Sequence, residues 1–246
     1  MTGRVAECPV DEMNRPRGRR QARLRIPPAA APVGRLVAGW REELAACPKF
    51  APAARNYAAC RLLSQVGLRV DEACKLDLPG IKRELGRVGT LHVRHGTGAR
   101  GSGPRERMVP LINNAGQARR WFAGDVRGQF GGDHTRPGVP LLPSARKNAG
   151  GTASRAGDET PRPALAKAAG THLPDWADVV TPPVLRPFCA SRLYLGGMDL
   201  IAIQATGGHA WIATTMQYAP VPGTPVEDAR IAGQQRAAAR WTGLPR

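Results

Sequence analysis

Apolar residues along the chain fall into two alternating rhythms. From Pro52 to Val66 the apolar positions Tyr57, Cys60, Leu62, Leu63 and Val66 recur at helical spacing. Gly67 interrupts them, and Val70 to Leu76 predicts a second, shorter helix. The period then changes. Thr90–His95 and Arg107–Ile112 read as strands, and the Gly-rich segment 96–104 between them makes a long-tipped antiparallel hairpin. Helical spacing returns over Ala115–Phe130. Asp133–Asp158 carries Gly and Pro throughout and reads as a loop. Helical stretches follow near 161–171, 182–196, 198–205 and 211–218, with a last one near 226–240. No internal repeat is visible. The pattern predicts a mainly α protein with one small antiparallel β-sheet, an α+β fold.

The first 35 residues lack any apolar period. Arg15, Arg17, Arg19, Arg20, Arg23 and Arg25 crowd together there, followed by Pro27, Pro28 and Pro32. This reads as a disordered basic arm, either lying along phosphates or simply solvated. Helical signals begin near Leu36. Residues 36–51 read as a linker helix or the remnant of an N-terminal DNA-binding domain, because fewer than about 50 residues cannot easily form an independent bundle.

Composition narrows the partners. The 246 residues suffice for one large or two small domains, and with 42% hydrophobic but only 5% aromatic residues the core must rest on Leu, Val, Ile and Ala. Lys and Arg number 36 against 19 acids, a net charge of +17. Such a surface attracts polyanions, because neutralising phosphates releases condensed counterions. Nucleic acid is the leading partner, with loose anion binding as the plainer alternative. The five cysteines, Cys8, Cys47, Cys60, Cys74 and Cys189, include no C-x-x-C pair, which fits a reduced, cytoplasmic setting. No apolar run approaches the ~18 residues of a membrane span, so no membrane partner is expected. No signal-peptide apolar region opens the chain.

Two local motifs carry little. Gly96-Thr97-Gly98-Ala99-Arg100-Gly101 matches G-x-G-x-x-G, but Ser102, Gly103 and Pro104 follow instead of a helix that could hold a pyrophosphate. A flexible basic hairpin tip is the better reading. His92 and His95 lie three apart on a strand, so they face opposite ways and do not form a shared metal site.

The informative pattern is dispersed. Gly67-Leu68-Arg69 with Glu72 enters a helix; Leu185-Arg186 lies in another; Gly207-Gly208-His209 follows; Tyr218 stands nine residues after His209. Two arginines, a histidine and a tyrosine on separate elements are the parts of a phosphodiester-transfer site. Singly, each has an ordinary reading as surface charge, cap or packing.

Together with Arg107-Met108-Val109-Pro110-Leu111, these boxes resemble the tyrosine recombinases, the phage-integrase-like enzymes, in order and spacing. The resemblance covers about residues 52–240 and is greatest to integrases of actinobacteria and their mobile elements. It implies that 52–246 is a recombinase catalytic domain performing site-specific DNA recombination and integration. Arg69 and Arg186 would grip the scissile phosphate, His209 would bond the phosphate or the nucleophile, and Tyr218 would form a 3′-phosphotyrosyl link. It implies double-stranded DNA as partner, a homotetramer on that DNA, and no metal or other cofactor. The hairpin arginines Arg94, Arg100, Arg105 and Arg107 read as DNA-binding. Two catalytic positions are degenerate: the family's hairpin lysine falls at Thr97, and the first histidine of its H-x-L-R-H box at Pro183, with Pro187 at the last. Each change needs only one A-to-C base substitution, which suggests a decaying or misread copy with impaired activity. A non-catalytic DNA-binding relative is the alternative, and a basic scaffold or nucleic-acid chaperone is a third.

Overall fold

The computed structural model of the chain describes residues 27–96, 105–131, 138–145 and 161–208, together with residues 231, 234 and 235. Its centre is helix α2 (Phe50–Val66), on which Tyr57, Ala58, Ala59, Cys60 and every residue from Leu62 to Val66 are buried. A helix buried on all sides has neighbours all round, so the apolar stripe understates its place. The small side chains of Ala58, Ala59 and Cys60 let those neighbours come close. Helices α1 (Ala30–Leu44), α4 (Ala115–Trp121), α5 (Arg162–His172) and α6 (Pro182–Leu195) all pack against it.

Helix α1 begins at Ala30, inside the stretch expected to be a disordered arm. Val33, Leu36, Trp40 and Leu44 are its buried residues, three or four apart, so burial extends the helix upstream of Leu36. The rest of the expected arm, residues 1–26, lies outside the described residues. Tyr57 joins three helices: its ring meets Trp40 edge-on at 5.6 Å and Trp121 edge-on at 5.8 Å.

The sheet has three antiparallel strands in the order β1 (Ile81–Lys82), β2 (Thr90–Gly96) and β3 (Arg105–Pro110). Leu91 pairs with Val109 and both are fully buried, while Glu106 and Met108 face out. β3 starts two residues earlier than its pattern predicts, and the register shifts between Val93 and Gly96. Strand β1 carries no signal of its own, since two residues cannot display a period.

Ala115–Phe130 is not one α-helix. After Trp121 it widens into a π turn over Phe122–Val126, then tightens into a 3-10 turn over Arg127–Phe130. Gly124 and Gly128 weaken α-helix there, and the change of pitch keeps Phe122, Val126 and Phe130 all in the core. The expected long loop also contains a pinned piece. Leu141 N–H donates to the Leu76 carbonyl at 2.8 Å, and Arg127 directs Nε and Nη2 at the Pro140 carbonyl, at 3.0 and 2.8 Å. Arg55 Nη1 donates to the Pro143 carbonyl at 3.0 Å. Leu141 and Leu142 are thereby held in the core. Among the described residues no helix is long and apolar enough to cross a membrane, and Cys47, Cys60, Cys74 and Cys189 are free thiols.

Helix α6 opens with Pro182 and Pro183 and contains Pro187. Its N-cap, Thr181, makes no side-chain cap bond, and its hydroxyl oxygen is buried without a partner among the described residues. The reason lies in the sequence: a capping hydroxyl accepts from the second or third helical N–H, and Pro183 has none, while Val184 N–H is taken by the Thr181 carbonyl at 2.8 Å. Replacing Thr181 by valine removes an unmet polar group at nearly constant shape. Urea unfolding of Thr181→Val is expected to show a gain of about 1 kcal/mol. A loss of similar size would mean that the hydroxyl has a partner.

Candidate functional site

Chain direction at the end of α2 sets the site. Gly67 closes the helix in the left-handed region, φ 70°, with its N–H on the Leu63 carbonyl. Two residues later Arg69 caps helix α3 (Val70–Cys74). Glu72, at the third helical position, reaches back: Oε2 accepts from Arg69 N–H at 2.9 Å and Oε1 from Arg69 Nη1 at 2.8 Å. From β3, Arg107 adds a two-pronged bond, Nη1 to Oε1 at 2.9 Å and Nη2 to Oε2 at 2.8 Å. From α6, Arg186 places Nη1 4.0 Å from Oε2. It donates from Nη1 to the Gly67 carbonyl at 2.8 Å and from Nη2 to the Gly207 carbonyl.

Helix α7 (Leu200–Gly207) completes the ring. Asp199 caps its start, accepting from Ile201 and Ala202 N–H, and Arg107 Nε donates to the Thr206 carbonyl at 3.2 Å. Gly208 ends it at φ 62°. A Cβ at Gly208 would sit 2.8 Å from Arg107 Cδ, so glycine serves both the turn and the close approach. The next residue in sequence is His209.

Electrostatics follow from burial. The Glu72 side chain has no exposure, those of Arg107 and Arg186 are 11% exposed, and that of Arg69 is 35% exposed. Burial alone would push the Glu72 carboxyl up, but the bonds and charge of Arg107, with the two bonds from Arg69, outweigh it and hold it down at about 2. Among the described residues three guanidiniums stand round one carboxylate, and Arg69 is the most exposed of them. Positive charge so concentrated suits a phosphodiester, which carries one negative charge, and its five-coordinate transition state, which carries more. No group of three metal-binding side chains occurs among the described residues.

The sequence-predicted residues divide. Arg69 and Arg186, 117 positions apart in the chain, are brought together on Glu72. Arg107, expected to face DNA with the other hairpin arginines, instead turns inward onto Glu72. Strand parity explains it, because Arg107 shares a face with buried Val109 while Glu106 and Met108 point out. Arg94 pairs with Asp77. Pro183 is exposed in the first turn of α6, three residues before Arg186, and has no ionisable group. His92 faces Glu106 across the hairpin at 2.7 Å, and His95 is exposed. Thr97, Arg100, His209 and Tyr218, the Arg105 side chain and the helix expected over 211–218 lie outside the described residues. Glu72 carries the local signal for such back-bonding, a Glu three residues after a helix-capping position, but nothing local marks it as the hub for Arg107 and Arg186.

The phage integrase family profile matches residues 41–222. The chain belongs to the phage integrase family. This integrase-family chain is 31% identical over 169 residues to the tyrosine recombinase XerC of Pelobacter propionicus, covering 68% of the chain and 48% of that protein. It is 34% identical over 179 residues to XerC of Rhizobium meliloti, covering 73% and 48%. The chain thus spans about half the length of the curated relatives it matches. In fold it is similar to the XerA recombinase, with TM-score 0.57, 22% identity and coverage of 85% of this chain and 65% of that one. It is also similar to the Tn1549 transposon integrase solved with transposon right end DNA, with TM-score 0.60, 20% identity and coverage of 87% and 66%.

A depressed carboxyl links the site to stability. Glu72 titrates lower folded than unfolded, so its contribution is full above about pH 5 and is lost as pH falls towards 2, on the order of 3 kcal/mol in all. Denaturant midpoints between pH 7 and 3 are expected to fall for the native chain. Glu72→Gln is expected to be less stable by about 3 kcal/mol at pH 7 and to lose most of that pH dependence. An unchanged slope in the variant would remove Glu72 as its source.

Proposed function

We propose that this chain is the catalytic part of a site-specific DNA recombinase, which cuts and rejoins duplex DNA through a 3′-phosphotyrosyl intermediate. The observation that carries the reading is the convergence of Arg69, Arg107 and Arg186, from three separate elements, on buried Glu72. In this reading Arg69 and Arg186 hold the non-bridging oxygens of the scissile phosphate, and Glu72 and Arg107 keep their forks aimed. Tyr218 Oη gives up its proton and attacks phosphorus, the bond to the 5′ oxygen breaks, and that oxygen takes up one proton and leaves as a hydroxyl, so one proton is lost and one gained. Religation to another strand runs the same step in reverse and frees the tyrosine. His209, next in sequence to Gly208, bonds the phosphate or the nucleophile. The arginines supply the positive charge, so the scheme calls for no metal.

The finer parts belong to the same proposal. Residues 52–246 form the catalytic domain, duplex DNA is the substrate, and the active form is a tetramer on DNA. The protein is cytoplasmic and serves a mobile element. The step this chain handles poorly is protonation of the leaving oxygen. Thr97 stands where the family places a lysine, and a threonine hydroxyl is a very poor acid at neutral pH. Pro183 likewise offers no imidazole beside Arg186. These two positions favour one second reading, a non-catalytic DNA-binding relative.

A library of nicked duplexes with randomised sequence distinguishes the two, because cleavage next to a nick traps the covalent adduct. The native chain is expected to give a weak adduct on denaturing gels, absent from Tyr218→Phe. Thr97→Lys is expected to raise its rate by about 10²-fold. Salt-sensitive binding with no adduct from either the native chain or Thr97→Lys would leave the non-catalytic reading.

A further inference from the structure

A second concentration of arginines lies where the catalytic scheme makes no use of it. The turn between β1 and β2 and the helix α4 enclose a pocket of about 640 Å³. Arg83 and Arg87 come from the turn, Arg119 and Arg120 from α4, with Asn114 and Gln117 beside them; among the described residues no acidic side chain lines it. Its residues are entirely distinct from Arg69, Glu72, Arg107 and Arg186. Arg83, Arg87 and Arg120 are exposed on the rim, but Arg119 is only 5% exposed.

Arg119 is the decisive residue. Its Nε is buried without a hydrogen-bond partner, and none of the four arginines forms an ion pair among the described residues. Burial, with the like charges of Arg83 and Arg120, pushes the Arg119 guanidinium down. Burying an unpartnered guanidinium N–H beside other cations is costly. The other buried arginines among the described residues avoid the cost: Arg127 directs its fork at the Pro140 carbonyl, and Arg55 donates to the Pro143 carbonyl and to Asn56 Oδ1. Cations so placed suit an anion that reaches the floor and the rim together.

We propose that this pocket is a second phosphate site, which takes a compact polyphosphate group such as the tail of a nucleoside triphosphate. Guanidinium forks match phosphate oxygens in pairs, and four of them suit an ion with several charges. The volume lies within the ordinary range for small-molecule sites, ~300–1,000 Å³. The recessed position of Arg119 favours a small ligand over DNA. A duplex can lay backbone phosphates on Arg83, Arg87 and Arg120, but its rigid cylinder does not deliver one to a buried floor.

The test uses the full chain with inorganic tripolyphosphate and, separately, a short random-sequence duplex. Calorimetry is expected to show tripolyphosphate binding that weakens about tenfold or more in Arg83→Ala/Arg120→Ala, as loss of two charge-assisted contacts requires. Arg69→Ala is expected to keep that affinity. Arg119→Leu is expected to melt higher than the native chain in phosphate-free buffer and to lose the rise in Tm that tripolyphosphate causes. Should Arg119→Leu not fold, the rim variant decides. Binding that is absent, that survives in the rim variant, or that falls equally in Arg69→Ala would overturn the proposal. So would a rim variant that loses duplex affinity alone, since the arginines would then serve the DNA backbone. Because the readout is polyphosphate binding, its failure leaves the recombinase reading untouched.

Discussion

One buried carboxylate determines where three arginines can stand. Glu72 is out of water entirely, and an isolated carboxylate there would cost several kcal/mol. Its bonds to Arg69 and Arg107 remove that cost, and Arg186 stands close enough to add its charge. Those arginines come from the N-terminus of α3, from β3 and from α6, so satisfying one side chain aligns three elements. Arg186 strengthens the link by spanning the carbonyls of Gly67 and Gly207. Fold and site are thus the same set of bonds. In the proposed reaction the guanidiniums are held in place before a phosphate arrives, which is the condition under which fixed charges stabilise a transition state without reorganising.

How much of this the sequence displays depends on the distance between partners. Helices α2, α3, α6 and α7 and the hairpin are legible because their signals are local: apolar period, Gly67 and Gly208 as stops, Pro182 as a start. The π turn after Trp121 is not, because Gly124 and Gly128 only weaken a helix and core contacts decide what replaces it. The pinned stretch around Leu141 is not, because Arg55 reaches Pro143 across 88 positions. The site divides the same way. Arg69 and Arg186 are legible through resemblance to a family. The pairing of Glu72 with Arg107, 35 positions apart, is not. Strand parity offered the one available hint, since it sets Arg107 inward beside Val109.

The prolines of α6 separate geometry from chemistry. Pro182 and Pro183 sit where helical N–H groups lack partners anyway, so they end nothing. Pro187 removes an interior bond, yet the helix continues to Leu195. Its ring is buried, and Phe188 and Cys189 beside it are in the core, so packing offsets the missing bond. Arg186 is held by carbonyls of two other segments, and its aim does not depend on the ladder around Pro187. What proline at position 183 takes away is therefore the chemistry of an imidazole, together with one capping N–H for Thr181. The bonds of Arg186 to Gly67 and Gly207 are left intact.

The net charge of +17 is likewise not one property. A guanidinium stays protonated in nearly any surroundings, so its partners show what each arginine is for. Arg55 and Arg127 direct theirs at carbonyls and hold a loop segment to the core. Arg69, Arg107 and Arg186 gather round a single carboxylate, with Arg69 the most exposed. Arg83, Arg87, Arg119 and Arg120 have no anionic partner among the described residues, and Arg119 bears that lack inside the protein. Bulk charge predicts attraction to polyanions without saying where; partner by partner, it divides into loop support, a cluster on one carboxylate, and a pocket lined by four arginines.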